Sequence, residues 1–383
     1  MTHDLVVAGG HVLCPATGAD AVMDVALDGG LIAAVGAGLE GRERIDATGL
    51  LVTPGLIDLH VHVYDGVSHY GIDADTYLLR RGTTTGVDVG SAGAQTFPAL
   101  RRMVIEQAQT RIYAYLHIAV EGMISRLVGE LEDIRWASVE QCVQVAEANR
   151  DVIAGVKLRA GWQMVGPDPR PAVGLAREAA DALALPLMVH VIDMGMPLPE
   201  LLAQLRPGDV VTHCFHNNDG CLLDAAGRVW PEAFAARERG ILFDVGHGVG
   251  SFTWSVARAA LAQGFPPDTI SSDIHAHNHA GPVYDLPRTL SKLLHLGMPL
   301  PDVIAAATTR VGAHLAHVAP AGLGTLGPGA PGDLSLLERQ RGSFALVDGE
   351  HRLSENVTEH AAERLVARSV VRAGAVVVCN EPA

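Results

Sequence analysis

The chain has 383 residues, 48% apolar and 19% charged, with a formal net charge of −15. That balance sustains a well-buried globular core and excludes a disordered chain. The negative excess repels phosphate backbones and anionic lipid, so neither nucleic acid nor a membrane surface is an expected partner. Aromatics make up only 4%, so the core must be built from Ala, Val, Leu and Ile, as in a barrel packed with branched aliphatics. The N-terminal MTHDLVVAGG has no basic segment followed by an apolar one, and no run of about 18 apolar residues occurs; no signal peptide and no membrane span are expected. Cys14, Cys142, Cys214, Cys221 and Cys379 are scattered, without a CxxC pair. Reduced thiols and a cytoplasmic location are therefore expected.

Residues 1–53 read as short strands and turns: DLVVAGGHVL, DVALDGG, LIAAVGAG and GLLVTPG set β-formers between Gly and Asp turn signals. The middle alternates strand and helix. Strands are predicted at 56–62, 84–90, 112–120, 153–159, 186–191, 209–215, 241–247 and 269–275, with amphipathic helices at 97–109, 171–184, 252–263 and 301–318. From about 322 the strand-and-turn pattern returns. The expected fold is α/β: a (β/α)8 TIM barrel over 54–320, with a small β-sandwich domain built from residues 1–53 and 321–383. A doubly wound open sheet competes, but no GxGxxG follows the first strand.

In such a barrel the active site lies at the C-terminal ends of the strands. Five of the eight strands end in a metal-capable residue. His60 and His62, spaced i, i+2 on the first strand, share one face. Two inward imidazoles need a partner, either a metal or hydrogen bonds at a polar barrel end. Lys157 stands in the apolar strand IAGVKLR, and only one other lysine, Lys292, occurs in the chain. A buried amine becomes neutral and can take up CO2, giving an anionic carbamate able to bridge two metals; the alternative is a lysine reaching solvent from the strand end. His190, His213 and Asp273 end the fifth, sixth and eighth strands. Arg159 lies two residues after Lys157 and so on the same face, suited to clamping a substrate carboxylate or to pairing with a neighbouring acid. His216, His247, His277 and His279 follow strands six to eight. His247 and His277 are candidate substrate contacts, and 64–75 is a candidate lid.

PGLIDLHVH at 54–62 resembles the strand-one signature of the amidohydrolase superfamily. The order HxH, Lys, His, His, Asp, with separations of 95, 33, 23 and 60 residues from His62 onward, resembles the binuclear subtype of dihydroorotases, hydantoinases and D-aminoacylases. HVHVYDG, GVKLRAG, HCFHN, FDVGHG and SSDIHAHNHAGP look like the branch known as amidohydrolase/deacetylase family metallohydrolases. The terminal segments resemble the family's flanking β domain. Typical dihydroorotases differ around the final Asp and carry an arginine near strand one, which HVHVYDG lacks.

The resemblance implies that His60, His62 and Asp273 hold a buried divalent metal and His190 and His213 a second, with carboxylated Lys157 bridging them. Zn2+ suits these ligands, and Mn2+, Fe2+ or Co2+ also fit. A water between two such cations is acidified to hydroxide and attacks a polarised carbonyl, with catalytic Asp273 as general base and then acid. The expected reaction is hydrolysis of an amide or ester in a small, carboxylate-bearing acylated substrate, an N-acyl amino acid or O-acyl hydroxy acid. A cyclic-amide hydrolase is the alternative. Lys157 argues against a deaminase, and a complete ligand set against an inactive scaffold. By analogy a homo-oligomer is expected.

Overall fold

The structure, a computed structural model, describes residues 2–125, 127–349 and 356–381. Five strands come first: β1 (Thr2–Cys14), β2 (Ala19–Asp28), β3 (Leu31–Gly36), β4 (Glu40–Asp46) and β5 (Leu51–Pro54). Seven follow in the middle: β6 (Leu56–Val61), β7 (Thr83–Gly93), β8 (Arg111–His117), β9 (Ile153–Arg159), β10 (Leu187–His190), β11 (Val210–Thr212) and β12 (Leu242–Asp244). Three close the chain: β13 (Leu334–Val347), β14 (Thr358–Arg372) and β15 (Ala375–Val378).

The two ends share one eight-stranded sheet in the order β15-β14-β13-β5-β1-β2-β3, with β4 paired to β1. The long β1 serves two parallel partners in turn, β4 along Thr2–Ala8 and β5 at His11–Val12. β4 lies outside the strands read from sequence, because EGRERID is largely exposed and carries no aliphatic run.

β6 to β12 form a curled sheet of parallel neighbours in chain order. Their residues are almost entirely buried, as expected where helices cover a parallel sheet. The helix Arg170–Leu183 shows how: Ala172, Val173, Ala176, Ala179, Ala180 and Leu183 form its buried stripe.

The eighth strand position is filled without a continuous strand. Residues 269–274 bridge β12 at Asp244↔Thr269 and β6 at Val61↔Ile274, both parallel. Asp273 donates its N–H to the His60 carbonyl at 2.8 Å, and His62 its N–H to Ile274 at 3.1 Å. The backbone departs from strand geometry because Asp273 sits at φ +50°. The helix expected at 301–318 is split into Leu300–Ala306 and Thr309–His314. The carbonyls of Ala306 and Ala307 are taken by Ile270 and Ile57 N–H groups of the barrel floor, at 3.0 and 2.8 Å, so they cannot continue a helix. The helix expected at 97–109 keeps one turn, Phe97–Leu100, and runs into a π-helical turn over Arg101–Ile105. No helix among the described residues is long and apolar enough to cross a membrane.

Candidate active site

Side chains at the C-terminal ends of the parallel strands converge on one cavity. Its walls carry His60, His62, Lys157, Arg159, His190, His213 and Asp273, together with Tyr70, Met123, Met164, Ser251 and His275. All six residues expected to hold metal are therefore brought together, and Arg159 with them.

His60 and His62 leave β6 on the same face and present their Nε2 atoms to Asp273 Oδ1, at 3.4 and 3.2 Å. The ligand atoms of these three lie within 4.8 Å of one another. Hydrogen bonds behind the rings fix which nitrogen faces forward. Thr212 donates its hydroxyl to Asp244 at 2.8 Å, so its oxygen accepts from His60 Nδ1–H at 2.8 Å. The proton is held on Nδ1 and the Nε2 lone pair faces the cavity. His213 Nδ1 donates to the Gly246 carbonyl at 2.6 Å, with the same result. His62 Nδ1 meets Ser91 Oγ at 2.9 Å, and Asp88 accepts the Ser91 N–H at 3.0 Å. His190 stands edge-on to His213, ring centres 4.4 Å apart.

Asp58 clasps the eighth strand position, accepting the Ser272 N–H at 2.9 Å and the Ser272 hydroxyl. Gly248 walls the other side of Asp273: a Cβ there would stand 2.4 Å from Asp273 Oδ2.

Burial sets the charge states. It holds His60, His190 and His213 well below the usual imidazole range and pulls His62 down to about 3, so all four rings are neutral. It pulls the Lys157 amine down to about 7 and pushes the Asp273 carboxyl up to about 6. Lys157 Nζ and Asp273 Oδ1 are buried and have no hydrogen-bond partner among the described residues. Neutral imidazole lone pairs facing an unpartnered carboxylate oxygen and an unpartnered amine fit divalent cations. Thr212→Val, which removes the acceptor for His60 Nδ1–H, is expected to weaken metal binding about 10–100-fold, read as faster metal loss to a chelator; unchanged retention would deny Thr212 that role.

Two expectations differ from the geometry, those for His247 and His277, while Arg159 shows the second of its two readings: its Nη1 donates to Glu130 Oε1 at 2.9 Å, with both side chains buried. Its Nε has no acceptor among the described residues. His247 does not reach the cavity. It accepts from Lys292 Nζ at 2.7 Å and lies flat against Phe252, because the second lysine is also fully buried and needs an acceptor. His277 stands outside the lining, its ring 5.7 Å from those of Tyr70 and His275. Among the remaining candidates, His216 is buried and accepts the Asn218 N–H, and His279 packs on Tyr77. The segment 64–75 contributes Tyr70 to the cavity but is tied down, with Ser68 Oγ donating to Met123 O at 2.7 Å and Ala276 N–H to Tyr70 O at 2.9 Å.

Sequence reasoning missed Tyr70, His275, Glu130 and His117. Strand alternation from Asp273 places His275 on the same face, and His117 ends its strand as His190 does.

No family model matches the chain. It is 38% identical over 290 residues to a deacetylase of Agrobacterium fabrum, covering 74% of this chain and 71% of that protein. It is 30% identical over 371 residues to a deacetylase of Enterococcus faecalis, covering 95% and 96%. Two solved structures superpose over nearly the whole length. An adenine deaminase has a TM-score of 0.89 at 28% identity, covering 98% of this chain and 100% of that one. A dihydroorotase has a TM-score of 0.89 at 30% identity, covering 99% and 98%.

Proposed function

The chain belongs to the amidohydrolase superfamily, and from that premise we propose that it is a metal-dependent deacylase. Its substrate would be a small, carboxylate-bearing acylated compound, an N-acyl amino acid or O-acyl hydroxy acid. The observation that carries the reading is the convergence of six metal-capable side chains and Arg159 on one cavity. The deacetylase relatives add support for acyl removal.

His60, His62 and Asp273 would hold one divalent cation, and His190 and His213 a second, with a carbamate on Lys157 between them; Zn2+ suits the set. Bound there, such cations supply an acidified water and polarise a carbonyl. The chain's own groups do the rest. Thr212 and the Gly246 carbonyl hold His60 and His213 in one tautomer. Asp273, kept basic enough by burial to accept a proton, would take it on its carboxylate and pass it to the leaving nitrogen or oxygen. Glu130 anchors one edge of Arg159, and the Nε–H remains for a substrate carboxylate.

A hydrolysis screen on metal-reconstituted protein tests this. The panel holds N-acyl D- and L-amino acids, O-acyl α-hydroxy acids, dihydroorotate, hydantoins and adenine. Stereoselective turnover of the acylated acids is expected, with a KM at least about tenfold higher in Arg159→Met. Turnover of cyclic amides alone would overturn the deacylase reading, and an unchanged KM the clamp.

Metal uptake should also depend on pH, with one sign. Below about 7 Lys157 becomes an ammonium that cannot take up CO2, and below about 6 Asp273 becomes a neutral acid. Metal-free protein in bicarbonate is expected to load fully near pH ~8 and progressively less as pH falls through those values. Full loading at pH ~5.5 would remove both groups from the metal site.

A further inference from the structure

His117, the last residue of β8, is the register partner of Lys157 on β9. Side chains of paired residues on neighbouring strands leave the sheet on the same face. Both flank Gly90: a Cβ there would stand 2.7 Å from Lys157 Cγ and 3.0 Å from His117 Cδ2. The glycine leaves open the space where the two side chains meet. His117 is 1% exposed. Its Nδ1 accepts the Ala119 backbone N–H at 3.0 Å, so the ring carries its proton on Nε2. That Nε2–H is buried and finds no acceptor among the described residues, and Lys157 Nζ is likewise without a partner. Buried polar atoms are rarely left so. Two of them at adjacent strand ends point to an acceptor that the unmodified side chains do not supply.

We propose that His117 is a positioning residue for a carbamate on Lys157, donating its Nε2–H to one carbamate oxygen. The inference rests on the reading of Lys157 as a CO2-modified ligand. The neutral amine gives its lone pair to the carbon of CO2, and an N–C bond forms. One C=O pair moves onto oxygen, and the nitrogen releases one proton to water. The product is an anionic N-carboxylate with no change of oxidation state. Its oxygens supply the acceptor that His117 lacks, and a charge-assisted hydrogen bond there favours the carbamate over the free amine. The same bond fixes rotation about the N–C bond, so the planar group faces the cavity in one orientation.

The test follows uptake directly. Metal-loaded protein is titrated with 13C-labelled bicarbonate, and the carbamate carbon is read by NMR beside metal content. His117→Phe keeps the ring and loses the donor. It is expected to need at least about tenfold more bicarbonate for half occupancy, the effect of losing a hydrogen bond to a charged group. It should lose one of its two ions in parallel. His117→Gln, which keeps an N–H donor, should recover most of both. In metal-free protein His117→Phe should melt somewhat lower, because the Ala119 N–H loses its acceptor, and His117→Gln separates that structural cost from the loss of the carbamate donor. Wild-type bicarbonate dependence in a folded His117→Phe would overturn the proposal, and so would a His117→Gln variant that recovers neither carbamate nor metal. Absence of any carbamate signal in the wild type would instead overturn the reading of Lys157.

Discussion

Lys157→Met is expected to separate metal binding from folding. The amine is 1% exposed and without a hydrogen-bond partner among the described residues, and burial pulls its pKa down to about 7. A lysine in that position costs stability whenever it is charged, and an unmet buried donor alone costs about 1–3 kcal/mol. Methionine has similar length and no polar atom to satisfy. Metal-free Lys157→Met should therefore melt at the wild-type temperature or above it, by an amount that grows as pH falls from about 10.5 to about 7 and then levels off. Sign and window follow from linkage: a lysine whose folded pKa is depressed destabilises the fold below its unfolded pKa, and most below its folded one. Metal binding should move the opposite way. If Lys157 carries the proposed carbamate, the variant is expected to hold at most one ion per chain. Activity should fall about a thousandfold, the scale of losing several kcal/mol of charge stabilisation at about 1.4 kcal/mol per tenfold. Metal analysis beside thermal unfolding reads both effects. Two retained ions would take Lys157 out of the site, and a lower metal-free melting temperature would show that the amine has a structural partner.

Asp273→Asn should abolish proton transfer while leaving the backbone intact. Asp273 sits at φ +50°, a left-handed conformation that asparagine tolerates better than most residues. Its side chain is shaped by Gly248 on one side and by the His60 and His62 rings on the other, and asparagine fits the same outline. What it loses is a carboxylate able to help hold a cation and to take and return a proton, so metal content is read beside kcat. We expect kcat to drop about 10²–10⁴-fold, with KM changed by no more than about threefold and an unaltered circular dichroism spectrum. A KM that rises while kcat holds would make Asp273 a binding group only. Asp273→Ala is the poorer probe, since alanine adds strain at a positive φ.

The barrel was legible because its signals are local. Seven of the eight predicted strands overlap β6 to β12 closely, since apolar runs bounded by turn residues need no distant partner to be recognised. The metal-capable residues were legible through one physical rule: polar side chains ending apolar strands must share the open end of the barrel. Other features depend on residues far apart in the chain. The split at Ala307 exists because its carbonyl serves Ile57, 250 positions earlier. For Arg159 the choice between a clamp and an ion pair stays open until Glu130 is seen beside it. His247 reads as a site residue until Lys292, 45 positions on, takes its lone pair.

By itself, then, the amino-acid order determined the repeating strand–helix pattern, the end of the barrel that carries chemistry and the six side chains gathered there. These follow from periodicity and from the cost of burying polar groups. Only the tertiary structure decided which nitrogen of His60, His62 and His213 faces the cavity, which charges are already neutralised and which buried atoms still lack a partner. Those properties arise between strands and loops brought together by folding, where hydrogen-bond geometry and desolvation have no counterpart in a linear sequence.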